Sequence, residues 1–169
     1  MRKVILNVAV SLDGFIEGPN GEYDWCFTDQ DYGMHDFLQR TDAVFIGRKS
    51  FEVLMRSDPN AFSDKRKYVF SRSLADFGPD GEIIGNGFEE RVVEIKSQAG
   101  KDIWLFGGAL LTSSFLNKGF VDEMQLSIHP LILGKGKPLF SMIASRKSFE
   151  LTNTVTYSTG LVQLSYRKV

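Results

Sequence analysis

The sequence predicts an α/β fold, in which helices flank a mostly parallel central sheet and a C-terminal antiparallel hairpin completes one edge. Up to about residue 119, β-rich apolar segments alternate with segments of helical apolar spacing, which is typical of parallel strands joined by helices. The end of the chain instead indicates two strands around the turn Thr159-Gly160. With 169 residues, of which 43% are hydrophobic and 24% charged, the chain is typical of one globular domain, which we assign to residues 1–169.

The N-terminal elements follow from apolar spacing and from helix-capping residues. Val4–Val10 is almost continuously apolar, as expected of a strand that is covered on both faces. A glycine-rich loop follows over residues 11–28, and loops of this length in compact domains commonly carry function. We predict a helix over Asp29–Thr41 with Asp29 as its N-cap, because apolar side chains recur on one face. A buried strand at Ala43–Ile46 and a short helix at Arg48–Arg56 come next.

The remaining elements continue this alternation. Residues 76–87 are turn-rich and include a short strand at Ile83-Ile84, and Gly100 ends the helix that follows them. Beyond residue 119, apolar and polar residues alternate singly, which predicts further strands. The other predicted elements are strands at Lys67–Phe70, Ile103–Phe106 and Met124–Ile128, helices over 88–99 and after Gly108, and a hairpin of Phe149–Ser158 with Leu161–Val169.

Charge and cysteine content exclude several classes of function. The formal net charge of −1 gives no basic field, so we expect no nucleic-acid partner. The single cysteine, Cys26, allows no intrachain disulfide and suits a reducing cytoplasm, and the two histidines, His35 and His129, lack metal-ligand spacing. No apolar run approaches the ~20 residues of a membrane span. We therefore expect a cytoplasmic protein without bound metal or membrane contact.

Glycine and basic residues follow three of the predicted strands. Gly107-Gly108 ends one strand before a helix, Gly47 ends another and precedes Arg48-Lys49-Ser50, and Ser71-Arg72 follows a third. Each signal alone is as typical of a tight turn or a solvated charge. Together they favour an anion site, because helix N-termini beside glycine offer free N–H groups and arginine grips phosphate with two donors. Since parallel sheets bind ligands where their strands end, we predict a dinucleotide site with one further phosphate, which fits NADPH better than NADH.

Two common phosphate-binding motifs are missing from the sequence, and a third segment resembles one only superficially. Neither G-x-G-x-x-G after the first strand nor G-x-x-x-x-G-K-[ST] occurs, which argues against a Rossmann dehydrogenase and a P-loop enzyme. Gly134-Lys135-Gly136-Lys137 follows His129-Pro130 and precedes Pro138 instead of opening a helix. We interpret it as a turn between sheet elements.

Five motifs, taken in their order along the chain, carry a resemblance to a known family. They are VAVSLDGFI (8–16), FIGRKSFE (45–52), VFSRS (69–73), LFGGALL (105–111) and HPLILGKGKPLF (129–140). The chain resembles the dihydrofolate reductase-like superfamily, and more closely the reductase domain of the bifunctional riboflavin-biosynthesis deaminase–reductase and its stand-alone bacterial relatives. With YSTGLVQLSY (157–166), the resemblance covers nearly the whole chain.

This resemblance implies an NADPH-dependent reductase. The implied reaction is hydride transfer to a C=N or C=O bond of a small pyrimidine-, pterin- or flavin-precursor-like heterocycle. The implied cofactor contacts are Gly47, Arg48, Lys49 and Ser50 at the phosphates, Ser71 and Arg72 at the 2′-phosphate of the adenosine ribose, Gly107, Gly108, Ala109 and Leu110 at the pyrophosphate, and Ala9 and Ile16 at the nicotinamide.

Hydride transfer to such a bond also needs a proton donor. Counted back from Gly47, Asp31 matches the acid of dihydrofolate reductases, with Asp36 as the fallback, whereas Asp13 is closer to what the riboflavin-pathway relatives share. Asp31 could instead complement a helix dipole, and Asp13 could stabilise its loop as an Asx-turn. The resemblance places Trp25 at the substrate with Asp31, although an aromatic side chain there could instead close the core beneath the loop.

Three functions stay open from the sequence. The first is a reductase of the riboflavin-pathway type. The second is a divergent dihydrofolate reductase: Lys65 and Arg66 lie near the place of that family's cation for the folate tail, but Ser50-Phe51 stands where Thr-Trp or Thr-Tyr is common. The third is a nucleotide-binding or scaffolding protein without turnover. Proteins that resemble this chain often form homodimers through their C-terminal strands, so we also expect a homodimer.

Overall fold

A computed structural model describes residues 1–74 and 81–169. Its elements in chain order are β1 (Val4–Ser11), β2 (Phe15–Glu17), α1 (Met34–Arg40), β3 (Thr41–Gly47), α2 (Arg48–Ser57), β4 (Arg66–Phe70), β5 (Gly81–Ile84), α3 (Phe88–Ser97), β6 (Asp102–Gly107), α4 (Ala109–Asn117), β7 (Glu123–His129), β8 (Lys137–Pro138), β9 (Phe149–Thr156) and β10 (Val162–Lys168). Residues 76–80, the start of the predicted turn-rich stretch, lie outside the described residues.

The main sheet has eight strands in the order β5-β4-β3-β6-β1-β7-β10-β9. From β5 to β7, each strand runs parallel to its neighbour. The strand β10 is antiparallel to both β7 and β9, so the C-terminal hairpin forms one edge of the sheet. The predicted fold class is therefore confirmed.

Apolar layers cover both faces of this sheet. On one face, Leu6 of β1 packs in a core cluster with residues of α3 and α4, among them Ile95 and Phe115. On the other face, Ile5 packs with Phe37 of α1 and Phe51 of α2. Successive residues of β1 thus enter opposite cores, which is why its sequence is apolar almost throughout.

The first helix is shorter than the predicted helix over Asp29–Thr41. It begins at Met34, because Tyr32 and Gly33 have φ angles of 50° and 75°, in the left-handed region that a right-handed helix cannot include. Asp29 is therefore not the N-cap, and its carboxylate accepts a hydrogen bond from the Tyr32 hydroxyl at 2.7 Å. The apolar face was recognised correctly from Phe37, but the prediction missed the turn formed around Gly33.

Residues 11–28 contain a short strand within the predicted loop. The strand β2 pairs antiparallel with β8, and Glu17 lies opposite Lys137. The N–H group of Leu139, a fully buried residue, donates to Gly14 O at 2.9 Å and fastens the pair to the core. We call β2 and β8 the ribbon. The Gly-Lys-Gly-Lys segment forms the turn that leads into it, as predicted.

Residues 1–74 and 81–169 contain neither a membrane-spanning helix nor a metal-binding cluster. No helix there is long and apolar enough to cross a bilayer. The same residues hold no group of three or more His, Cys, Asp and Glu side chains arranged to bind a metal ion. Burial raises the pKa of the Cys26 thiol to about 11, so this side chain is a neutral thiol at physiological pH.

Candidate functional site

A cleft of about 900 Å³ opens where β3, β4, β5 and β6 end. It is the place at which the predicted strand-end glycines and basic residues meet, since parallel strands share one C-terminal edge. Of the residues predicted to bind a cofactor, those in its lining are Gly47, Arg48, Lys49, Ser50, Ser71, Arg72, Gly108, Ala109 and Leu110. The structure therefore brings three separate stretches of the chain into one site.

Three helices begin at this cleft, each directly after a glycine. Gly47 precedes α2, Gly87 precedes α3 and Gly108 precedes α4, and none of these glycines has a side chain to cap the N–H groups of its helix. The first N–H groups of a helix have no partner within the helix, and the helix dipole adds positive charge at that end. Three such ends around one cleft suit the oxygens of a ligand with several phosphates.

The junctions before α2 and α4 pack closely against each other. Ser50 Oγ accepts a hydrogen bond from Gly108 N–H at 3.2 Å. A Cβ atom on Gly47 would lie 3.4 Å from Gly107 O, and one on Gly108 would lie 3.1 Å from Ser50 Oγ. Gly107, joined to Gly108 by a cis peptide bond, has a φ of 103°, which side chains disfavour. Glycine at these positions leaves a cradle made of main chain, which a ligand can approach closely.

Basic side chains surround this cradle. Arg48 donates to Glu52 at 2.8 Å within α2, whereas Lys49 and Arg72 are exposed. Arg72 lies in a turn that Ser71 stabilises, because Ser71 Oγ accepts the N–H groups of Ser73 at 3.2 Å and of Leu74 at 2.9 Å. The arrangement can neutralise a multiply charged anion while leaving the arginine head groups accessible.

The part that a third junction, between β5 and α3, plays in the cleft was not predicted. Ile84, Gly85, Asn86, Gly87 and Phe88 all line the cleft. The sequence signal was present. Ile83-Ile84 is followed by Gly-Asn-Gly and then by Phe88, an apolar residue at the start of a helix, and this order repeats the pattern seen at Gly47. The short strand at Ile83-Ile84 and the helix after residue 87 were predicted, but the glycines between them were assigned only to a turn-rich stretch, because β5 has four residues, too few for a clear strand pattern. Lys137 was also missed as a lining residue.

Three of the predicted cofactor residues lie outside the lining of the cleft. Gly107 is buried and shapes the turn beside it. Ala9 is half-buried in β1, in register with Ser127 of β7, and Ile16 in β2 packs against the core. The predicted contacts of Ala9 and Ile16 with a nicotinamide thus stay predictions.

Asp31 lies in the exposed turn that precedes α1. Its Oδ1 accepts a hydrogen bond from His35 N–H at 2.8 Å. Asp31 thus lies at the start of α1, where its negative charge complements the helix dipole, the alternative role given above. Asp36, the fallback, is exposed in the first turn of α1. Neither carboxylate lines the cleft, and the proton-donor role of Asp31 stays a prediction.

Asp13 anchors the turn between β7 and β8. Its carboxylate accepts hydrogen bonds from the Ser11 hydroxyl at 2.6 Å, from Leu133 N–H at 3.1 Å and from Gly134 N–H at 2.8 Å. These hydrogen bonds, that of Ser11 foremost, lower the pKa of Asp13, because they stabilise the charged form. Asp13 is therefore a carboxylate at neutral pH, with no proton of its own to donate, and its hydrogen bonds favour a role in holding the loop.

Trp25 lies against a buried histidine. Its ring meets that of His129 edge-on at a centroid distance of 5.2 Å, and its Nε1 donates to Glu22 O at 3.3 Å. His129 Nδ1 lies 3.0 Å from Ser127 O, which can only accept, so Nδ1 carries the proton. His129 Nε2 then accepts Phe27 N–H at 3.1 Å. Neutral His129 therefore fastens the segment that carries Trp25 to β7.

We expect the free energy of unfolding to fall as the pH is lowered from about 7.5 to about 5, because of His129. Burial lowers its pKa below the ordinary value of 6.5. In this range the unfolded chain binds a proton that the folded protein does not bind, so acid favours unfolding. Urea titrations at several pH values measure the effect, and His129→Gln should flatten the slope.

The exposed histidine His35 supplies the control for this experiment. His35→Gln should keep the wild-type slope between pH 7.5 and pH 5. Carboxylates with lowered pKa values, such as Asp13 and Glu82, contribute at lower pH, below their ordinary range. An unchanged slope in His129→Gln would show that the histidine is not the titrating group.

Lys65 does not project to a ligand. Its ammonium group is buried and donates to Leu38 O and Thr41 O, each at 2.9 Å, at the C-terminal end of α1. Lys65 is therefore not available for the tail of a folate, because the end of α1 occupies its ammonium group. Arg66 is exposed, with its guanidinium carbon 5.6 Å from the centre of the Tyr68 ring.

Comparison with solved structures supports the fold. A protein of Shewanella sp. PV-4, proposed to act in riboflavin biosynthesis, superposes with a TM-score of 0.89 at 22% identity, covering 99% of each chain. Dihydrofolate reductase from Enterococcus faecalis, complexed with NADP(H) and RAB-propyl, superposes with a TM-score of 0.71 at 15% identity, covering 98% of this chain and 96% of that one. The mixed sheet with its antiparallel C-terminal strands is thus dihydrofolate reductase-like.

Comparison of sequences establishes the family. The uncharacterized Bacillus subtilis (strain 168) protein YyaP is 45% identical over 177 aligned residues, covering 98% of this chain and 94% of YyaP. The family model of the RibD C-terminal domain matches residues 2–163. These matches confirm the resemblance inferred from the five motifs, and the chain belongs to the RibD C-terminal domain family.

Proposed function

We propose that this protein is a cytoplasmic NADPH-dependent reductase that transfers a hydride to a C=N or C=O bond of a small heterocycle, of the pyrimidine, pterin or flavin-precursor kind. One observation carries the proposal: three helices without side-chain caps begin at a single cleft that also holds Arg48, Lys49 and Arg72. A dinucleotide with three phosphates supplies the anionic groups for which such a cleft is suited. Membership of the RibD C-terminal domain family supports the reductase class.

The cleft fits the phosphates of NADPH through its main-chain cradle and its basic rim. The close approach of Gly47 to Gly107 leaves backbone at the position where side chains would otherwise keep a pyrophosphate away. We assign Arg72 to the 2′-phosphate, because its side chain is exposed on the turn that Ser71 stabilises. When bound, NADPH supplies the hydride.

The protein's own residues must orient the acceptor and deliver a proton. Gln163 Nε2 donates to Tyr32 O at 3.2 Å and to Ser127 Oγ at 3.3 Å, and Ser127 is in register with Ala9. Gln163 therefore links Tyr32, the neighbour of Asp31 in the chain, to Ser127. Ser127 lies beside Ala9, the residue of β1 that is assigned to the nicotinamide. We therefore prefer Asp31 over Asp13 as the source of the proton.

A nucleotide-binding protein without turnover is the second candidate. It is favoured by the hydrogen bonds of the two predicted acids, since Asp13 holds a loop and Asp31 holds the start of α1. A divergent dihydrofolate reductase receives less support, because Lys65 is committed to the end of α1. Oxidation of NADPH with a panel of heterocyclic acceptors separates the first two candidates.

We expect NADPH to bind clearly more tightly than NADH, and Arg72→Ala to weaken NADPH binding by roughly 1.5–3 kcal/mol, the worth of a charge-assisted hydrogen bond. Binding of NADH should change little, because it lacks the 2′-phosphate. Calorimetric titration of both cofactors measures the difference. Arg56→Ala removes an exposed arginine at the far end of α2 and serves as the matched control. If neither cofactor binds the wild-type protein, the proposed function is wrong.

A further inference from the structure

We propose that Lys137 is a further basic residue of this site, and that its ammonium group exchanges Glu17 for the cofactor's pyrophosphate when a dinucleotide binds. The inference rests on the proposed function, because it takes the cleft as a dinucleotide site. It gives a role to the Gly134-Lys135-Gly136-Lys137 segment, which the sequence had indicated only as a turn.

The ribbon carries Lys137 into the cleft. Among the described lining residues, Lys137 alone lies beyond α4 in the chain. It faces Glu17 across the ribbon, and the two side chains form an ion pair. Lys137 is therefore a positive charge at the cleft that is already desolvated in part, with 45% of its side chain exposed.

The main chain beneath Lys137 is held in place, so an exchange of partners needs only a movement of the side chain. Asp13 accepts the N–H groups of Leu133 and Gly134 and thereby fixes the preceding turn. At Gly136 the backbone runs so close to β2 that a Cβ atom there would lie 2.2 Å from Glu17 O. The flexible four-carbon stem of lysine can then redirect its ammonium group from this fixed base.

The exchange is energetically reasonable. An exposed ion pair such as Lys137–Glu17 contributes little to stability because water screens both charges, so losing it costs little. A pyrophosphate concentrates more negative charge than one carboxylate and offers more acceptor oxygens, and hydrogen bonds to it are charge-assisted. Bound cofactor should therefore compete successfully with Glu17 for the ammonium group.

The position of the ribbon indicates which phosphate Lys137 contacts. Glu17 directly follows Ile16, the residue assigned to the nicotinamide end, whereas the 2′-phosphate is assigned to Arg72 at a different junction. The pyrophosphate links the nicotinamide half of the cofactor to the adenosine half. Since NADH and NADPH share this group, Lys137 should contribute equally to the binding of both.

Calorimetry with both cofactors tests the proposal. We expect Lys137→Met to weaken NADPH and NADH binding by the same factor, about five- to tenfold. Lys135→Met, which removes the neighbouring exposed lysine, should bind both cofactors as the wild type does. Arg72→Ala should affect NADPH alone. Equal affinities of Lys137→Met and Lys135→Met for both cofactors would overturn the proposal, as would a loss confined to NADPH.

The exchange of partners has its own test in a double-mutant cycle. Glu17→Gln frees Lys137 from its ion-pair partner, so it should tighten NADPH binding up to about threefold. In the Lys137→Met background the same substitution should have no effect. If Glu17→Gln tightens binding equally in both backgrounds, Glu17 acts by repelling the cofactor directly and no exchange occurs.

Failure of this inference can be told apart from failure of the proposed function. A wild-type protein that binds neither NADPH nor NADH overturns both. A wild-type protein that binds NADPH, with Lys137→Met indistinguishable from it, overturns only the role of Lys137. Thermal unfolding of each variant identifies any loss of binding that arises from a damaged fold.

Discussion

Gly136→Ala is expected to detach the ribbon of β2 and β8 and to lower the free energy of unfolding by about 3–4 kcal/mol. A Cβ atom at this position would lie 2.2 Å from Glu17 O, a main-chain atom that no side-chain rotation can move away. The φ angle of 154° adds strain, since L-residues rarely adopt it. The two strands must therefore separate, and buried Leu139 loses the neighbouring hydrogen bond to Gly14 O.

Gly134→Ala is the matched control in the same turn. Gly134 has a φ angle of 72°, but nothing lies within 4 Å of the place of its Cβ atom. This variant should lose only the strain of the left-handed conformation, about 1–2 kcal/mol. Comparing the two variants therefore separates the collision with β2 from the intrinsic preference for glycine.

Urea unfolding and hydrogen exchange together measure the outcome. If the ribbon detaches before the rest of the protein unfolds, the amide of Leu139 should exchange much faster in Gly136→Ala than in Gly134→Ala. Similar stabilities and exchange rates for the two variants would contradict the close approach of Gly136 to β2.

The parts of the fold that the sequence predicted best are those with a strong local pattern. The apolar run at Val4–Val10 indicated a central strand because both of its faces meet a core. The two clearest strand-to-helix junctions, at Gly47 and Gly107, were recognised from the change of pattern around glycine. The third junction, at Gly85, repeats this chemistry but follows a strand of only four residues, whose pattern is too short to stand out.

The parts that were missed depend on contacts between distant residues. Lys137 joins the cleft only because β8 pairs with β2, an interaction of two short strands that leaves little trace in composition. The start of α1 was misplaced because Asp29 resembles an N-cap, whereas the conformation of Gly33 decides where the helix begins. The burial of Lys65 was not predicted, since a sequence does not reveal which lysine meets a helix end.

Lys65→Met should lower the free energy of unfolding by about 2–4 kcal/mol. The ammonium group, buried with 2% of its side chain exposed, donates to Leu38 O and Thr41 O and faces the negative end of the α1 dipole. Methionine keeps the volume and apolar contacts of the lysine stem but leaves these carbonyl oxygens without their donor. Removing the ammonium group also removes the free-energy cost of burying its charge. This gain offsets part of the loss, which is why the lower end of the expected range is as small as about 2 kcal/mol.

Lys101→Met tests whether the expected loss of stability comes from the burial of Lys65 or would follow from removing any lysine at this helix end. Lys101 also donates to a carbonyl of the last turn of α1, Gln39 O at 2.8 Å, but it is exposed, so water can replace it. Its loss should cost less than about 1 kcal/mol. Urea unfolding of both variants tests the difference, and an equal small loss would mean that Lys65 is solvated in the folded protein. Since Lys65 lies outside the lining of the cleft, NADPH affinity should be unchanged in Lys65→Met wherever the protein remains folded.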